Sequence, residues 1–83
     1  MMKRPYFLWD YDLTEEKTRK ILRQGTDSEK CWLMARILEH AHFNDVFQYL
    51  TLKNILAYFP RLKMRPVIRE YWQRALLAWG YHV

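Results

Sequence analysis

Glycine is nearly missing from this chain: there are two in 83 residues, Gly25 and Gly80. Loops that cradle phosphates need several closely spaced glycines, so neither a phosphate loop nor a dinucleotide fingerprint can be written here. Proline is scarce as well, at three. With so little proline and glycine and so much apolar content, disorder is not expected. A single cysteine, Cys31, excludes an internal disulfide, and a cytoplasmic setting fits that usage best. No run of about 18 apolar residues occurs, so no membrane partner is expected. The start, "MMKRPYFLWDYD", has two early cations and then an apolar patch. Asp10 and Asp12 cut that patch short, and no secretory signal is expected.

Metal chemistry lacks its letters too. His40 and His42 are two residues apart, which on a continuing helix points them about 200° from one another. No Cys/His pair has zinc spacing. A Cys–His nucleophile pair would need an orienting third group, and none is visible. Asp10 and Asp12, with Glu15 and Glu16 near in sequence, lack the glycine-bearing loop that folds ligands around a cation. No catalytic residue, metal or cofactor is assigned, and enzyme activity is not expected.

What the chain has is ring and charge. Aromatics make up 17% of it, with four Trp, six Tyr and four Phe. Large rings give a chain of this size a core it would otherwise lack. The length bounds it to one domain, 1–83. The net charge of +5 is uneven: residues 61–83 hold five Lys/Arg against one Glu. A basic end of this kind is a footprint for acidic partners.

The element pattern is helical. Residues 1–13 are an extended lead-in, with apolar and polar positions alternating from Leu8 to Leu13. Thr14 caps a first helix, "EEKTRKILRQ", whose apolar face (Leu13, Ile21, Leu22) is thin. Gly25 follows, in a position that favours a left-handed residue. "TDSE" at 26–29 is a capping box. The helix after it, about 27–41, carries a stripe of Cys31, Met34, Ala35, Leu38 and Ala41, widened by Trp32, Leu33 and Ile37. It is the expected central buried helix. A short helix begins at Asn44. Thr51 caps a fourth, which Pro60 stops. The basic linker "PRLKMR" leads to Pro66, the first turn of "PVIREYWQRALLAW". Ile68, Tyr71, Trp72, Ala75, Leu76 and Trp79 form its expected core face, and Gly80 ends it. The expected fold is all-α: five helices in one compact domain, a helical core over 14–80, and a short extended N-terminal segment.

Two surfaces stand out. If "LWDYDL" is extended, Leu8, Asp10 and Asp12 face one way, and Trp9, Tyr11 and Leu13 the other. Trp9 and Tyr11 then grip the helices while the aspartates stay wet. Trp9→Ala should cost about 3–5 kcal/mol, the scale of a core truncation, and more than Asp10→Asn. Trp9, Asp10, Tyr11 and Asp12 are the candidate partner-binding residues. The second surface is basic: Arg61, Lys63, Arg65, Arg69 and Arg74 are the candidate nucleic-acid contacts. A short helix, a turn, a short helix and a longer basic helix are compatible with a helix-turn-helix, although the glycine-bearing turn is missing. With four Trp in so small a domain, one or two should remain partly exposed beside arginine, a hot-spot composition.

The order "LWDYDL…RKIL..G", then Trp32, then "VFQYLTLKNILAYFPRL…EYWQRALL" resembles a family of small uncharacterised prokaryotic helical domains. These carry an N-terminal Trp-Asp motif and a tryptophan-bearing last helix. Trp9-Asp10, Ile21-Leu22…Gly25, Trp32 and Trp72 carry the likeness, over roughly residues 7–80. Members are often encoded beside nucleotidyltransferase-type toxins. The resemblance implies an antitoxin-like binding module whose partner is a toxin-like protein. A homo-oligomer and a nucleic-acid-binding regulator are the alternatives.

Overall fold

The structure is a computed structural model that describes residues 5–82. The early cations Lys3 and Arg4, the first residues of the 1–13 lead-in, and Val83 lie outside the described residues. The fold is all-α, with five helices: α1 Glu15–Gln24, α2 Asp27–His40, α3 Phe43–Tyr49, α4 Leu52–Tyr58 and α5 Pro66–Ala78. Two 3-10 turns accompany them, Tyr6–Leu8 before α1 and Phe59–Arg61 between α4 and α5. Among the described residues there is no strand, and no helix is long and apolar enough to cross a membrane.

Local chemistry sets the helix starts. The Thr14 hydroxyl accepts the Lys17 N–H at 3.2 Å and opens α1. At α2 the box is complete: Thr26 accepts from the Glu29 N–H, and the Glu29 carboxylate accepts the Thr26 N–H. Thr51 and Asn54 do the same at α4. These caps satisfy N–H groups that the helix cannot pair itself. α3 begins at Phe43, one residue before the expected Asn44, and its N-cap His42 makes no side-chain cap bond. The hydroxyl of Tyr6, distant in sequence, accepts the His42 N–H instead, at 2.6 Å.

The two glycines end helices for different reasons. Gly80 is left-handed (φ 92°). Its N–H donates to the Leu77 carbonyl, and the Tyr81 N–H donates to the Leu76 carbonyl, which is a Schellman motif. Gly25 was expected to be left-handed too, but its φ is −69°. Space, not conformation, requires it: a Cβ there would lie 2.6 Å from the Ile21 carbonyl oxygen.

α2 is the central helix, as its stripe indicates. Leu33, Met34, Ala35, Ile37 and Leu38 are buried in it, and Phe7, Leu8, Val46, Leu50, Ile55, Phe59, Leu62, Trp72 and Leu76 close around them. Trp72 is the largest buried side chain, and its indole N–H donates to the Leu38 carbonyl at 3.1 Å. That bond satisfies a ring donor that would be costly to bury unpaired. α1 is the expected surface helix; only Thr18 is fully buried in it.

Two expectations about burial are overturned. In the described part of the lead-in, the 3-10 turn at Tyr6–Leu8 runs into a further turn closed by the Tyr11 N–H on the Leu8 carbonyl, so strand alternation is not set up there. Phe7 and Leu8 enter the core, whereas Trp9 is 63% exposed and Tyr11 is exposed as well. On α5, Tyr71 and Trp79 were expected in the core face and are both exposed. α5 closes one side of the domain, so it buries a narrower arc than a helix packed all round.

Candidate functional site

The exposed rings of the lead-in are held by one cation of α2. The Arg36 Nε donates to the Phe7 carbonyl at 3.0 Å, and its guanidinium pairs with the Asp10 carboxylate. The same guanidinium lies over the Trp9 ring at 4.5 Å and near the Tyr11 ring at 5.2 Å. Trp9 stands edge-on to His40, and Tyr11 edge-on to Trp32. Trp32, Arg36 and His40 are four residues apart, so they share one face of α2. The result is a continuous ridge, Trp9–Arg36–Tyr11–Trp32, in which all three rings are partly exposed and each has a fixed neighbour.

Asp10 is therefore an orienting group for Arg36 and half of a pair. Asp12 is exposed beside it. Among the described residues, no group of three or more His, Cys, Asp or Glu could hold a metal ion. Tyr6 extends the surface toward α3, donating to Asp45 at 2.6 Å while accepting from His42. Loss of water around its oxygen raises the Tyr6 phenol above its ordinary value, and the Asp45 carboxylate raises it further. Burial does the same to Tyr49, reinforced by the charge of Glu15.

The five basic residues do not converge. Arg61 faces Asp27 at 3.6 Å and lies over Tyr58. The Arg65 Nε donates to Glu39 at 2.9 Å. Arg74 pairs with Glu70 at 2.7 Å along α5. Arg69 is structural: it is half-buried, donates to the Phe59 and Leu62 carbonyls, and lies over the Phe59 ring. It clasps α5 to the 3-10 turn. Lys63 forms no ion pair among the described residues. Arg61 and Lys63 do share a place. They rim an open groove of about 410 Å³, together with Asp27, Cys31, Trp32 and Ala35 of α2. Trp32 thus belongs both to the aromatic ridge and to the groove wall.

Arg36 is the residue that sequence reasoning missed. Its signal was a lone cation inside the apolar run "CWLMARILEH", spaced four from both Trp32 and His40. The chain matches no protein-family model, no curated protein and no solved structure.

Proposed function

We propose that this chain is a cytoplasmic, non-enzymatic binding and regulatory module that acts through protein–protein contact. The observation that supports it is the exposed ridge of Trp9, Tyr11 and Trp32, already ordered around Arg36. Rings fixed before binding lose little entropy on contact, and Trp, Tyr and Arg dominate interface energetics. The resemblance in the Trp9-Asp10 motif makes the module antitoxin-like and its partner a nucleotidyltransferase-type toxin. Co-expression with such a neighbour tests this directly. The wild-type chain should retain it through purification, and Trp9→Ala should weaken retention about tenfold or more, the scale of a hot-spot loss. Retention that ignores Trp9, Tyr11 and Trp32 would remove the ridge from the proposal. A chain that retains no neighbour at all would end it.

A second reading is favoured by the groove, where Arg61 and Lys63 stand beside the exposed Trp32. Cations tracking a backbone next to a stacking ring suit single-stranded nucleic acid. It is the weaker reading because Arg61, Arg65 and Arg74 already face carboxylates. A retardation assay at low salt decides it. Binding should fall steeply with salt and be lost in Lys63→Glu. Absence of any shift with single-stranded or duplex probes would exclude it.

A further inference from the structure

The outward face of α5 is not part of the ridge or the groove, and its residues follow a pattern of their own. Val67, Glu70, Arg74 and Leu77 are spaced three, four and three along the helix, the seam spacing of paired helices. All four point to solvent. Val67 is 66% and Leu77 54% exposed, and the side chains of Glu70 and Arg74 are 60% and 79% exposed. Tyr81 and His82 come beside this stripe, sharing a shallow hollow with Glu70, Arg74 and Leu77.

The order of the stripe is also symmetric about residue 72. Glu70 and Arg74 lie about 3 Å to either side of that level along the axis, and Val67 and Leu77 about 7.5 Å. A second α5 laid antiparallel across the first therefore meets it term by term. Apolar Val67 faces apolar Leu77, acidic Glu70 faces basic Arg74, and the reverse holds on the other half. The two intrahelical Glu70–Arg74 pairs become a ring of four alternating charges. A single arbitrary partner would have no need of this reciprocity; a two-fold contact requires it, since one patch must complement itself.

We propose that the outer face of α5 is a self-association surface, on which a second copy of this chain docks its own α5 antiparallel about a two-fold axis at the level of residue 72. Tyr71 and Tyr81, both exposed beside the stripe, widen the contact. A 13-residue helix presents a seam about 20 Å long. A seam that short places the contact in the weak, transient class. Arg74 acts here as a dimer contact rather than a phosphate contact.

Sedimentation of the full chain from low micromolar to millimolar concentration tests the proposal, with circular dichroism confirming that each variant is folded. The wild type should pass from monomer to dimer. Glu70→Arg and Arg74→Glu each place like charges opposite one another and should weaken the dimer about tenfold or more. The double exchange, Glu70→Arg with Arg74→Glu, restores complementarity only in an antiparallel two-fold contact, and should recover the wild-type constant. Leu77→Asp should leave a monomer. Trp9→Ala should leave the dimer unchanged, so the test is separable from that of the lead-in ridge. A chain that stays monomeric throughout overturns the proposal. So does a dimer indifferent to Leu77→Asp, or one that the double exchange fails to rescue.

Discussion

The lead-in ridge and the outer face of α5 are both exposed and apolar, yet they are assembled differently. On the ridge every ring has an internal neighbour: Trp9 has Arg36 and His40, and Tyr11 has Arg36 and Trp32. On α5, Val67 and Leu77 stand exposed, and among the described residues it is the Glu70–Arg74 ion pair that links the stripe. The ridge is braced ring by ring and has no internal symmetry, which suits a surface shaped for an unlike molecule. The α5 stripe is loose and reciprocal, which suits a copy of itself. Exposure alone does not separate the two cases; the arrangement of neighbours does.

That contrast can be broken by substitution. The largest effect should come from Leu8→Ala, which empties a fully buried position next to Trp9 in the chain. It should lower stability by about 2–5 kcal/mol in urea denaturation. Leu77→Ala, on the α5 stripe, should stay within about 0.5 kcal/mol of wild type. Equal losses would mean that the stripe is not free of the core. Arg36→Ala comes next, at about 2–3 kcal/mol, because it strips the Phe7 carbonyl of its donor as well as releasing Asp10. If it costs no more than Arg74→Ala, the ridge has no organising cation. Trp9→Ala should cost only about 1 kcal/mol, the worth of an exposed cation–π contact, while partner retention falls far more.

The smallest effect is on pH. Folding raises the Tyr6 and Tyr49 phenols above their ordinary value, so the native state holds those protons more tightly. The stability this contributes is complete below about pH 10, the unfolded value, and disappears as pH rises through the higher folded values. Urea midpoints should fall on the alkaline side. Tyr6→Phe with Tyr49→Phe should flatten that arm; an unchanged slope would show that other groups set it.

Much of the fold could be read before the structure, because the signals were local. Thr14, Thr26 and Thr51 announce helix starts through bonds that span three residues, and Pro66 and Gly80 bracket α5 by their backbone preferences alone. The lead-in failed because a 3-10 turn needs only three residues and leaves no periodicity. The alternation in "LWDYDL" is a pattern the chain does not use as a strand: the turn runs on through Tyr11, and Trp9, Asp10, Tyr11 and Asp12 are all exposed. On α5 the direction of the core face was right at Trp72 and Leu76. Its width was not, since sequence does not say how many neighbours a helix has. Trp9 and Tyr11 were expected both to grip the helices and to contact a partner, and it is the grip that their exposure overturns. Arg36 escaped because its role depends on groups 26 and 29 residues away.

Those separations bear on how the chain is made. Tyr6 finds its partner Asp45 only across 39 residues. At translation rates of about 5–20 residues per second, the lead-in waits on the order of 2–8 s before its docking site exists. Until that site exists, the apolar residues of "YFLWDYDL" have no core to enter. Asp10 and Asp12 interrupt them as gatekeepers do, keeping a nascent strand from sticking to its neighbours. Asp10 thus serves twice: as a charge that breaks an apolar run before folding, and as the partner of Arg36 afterwards.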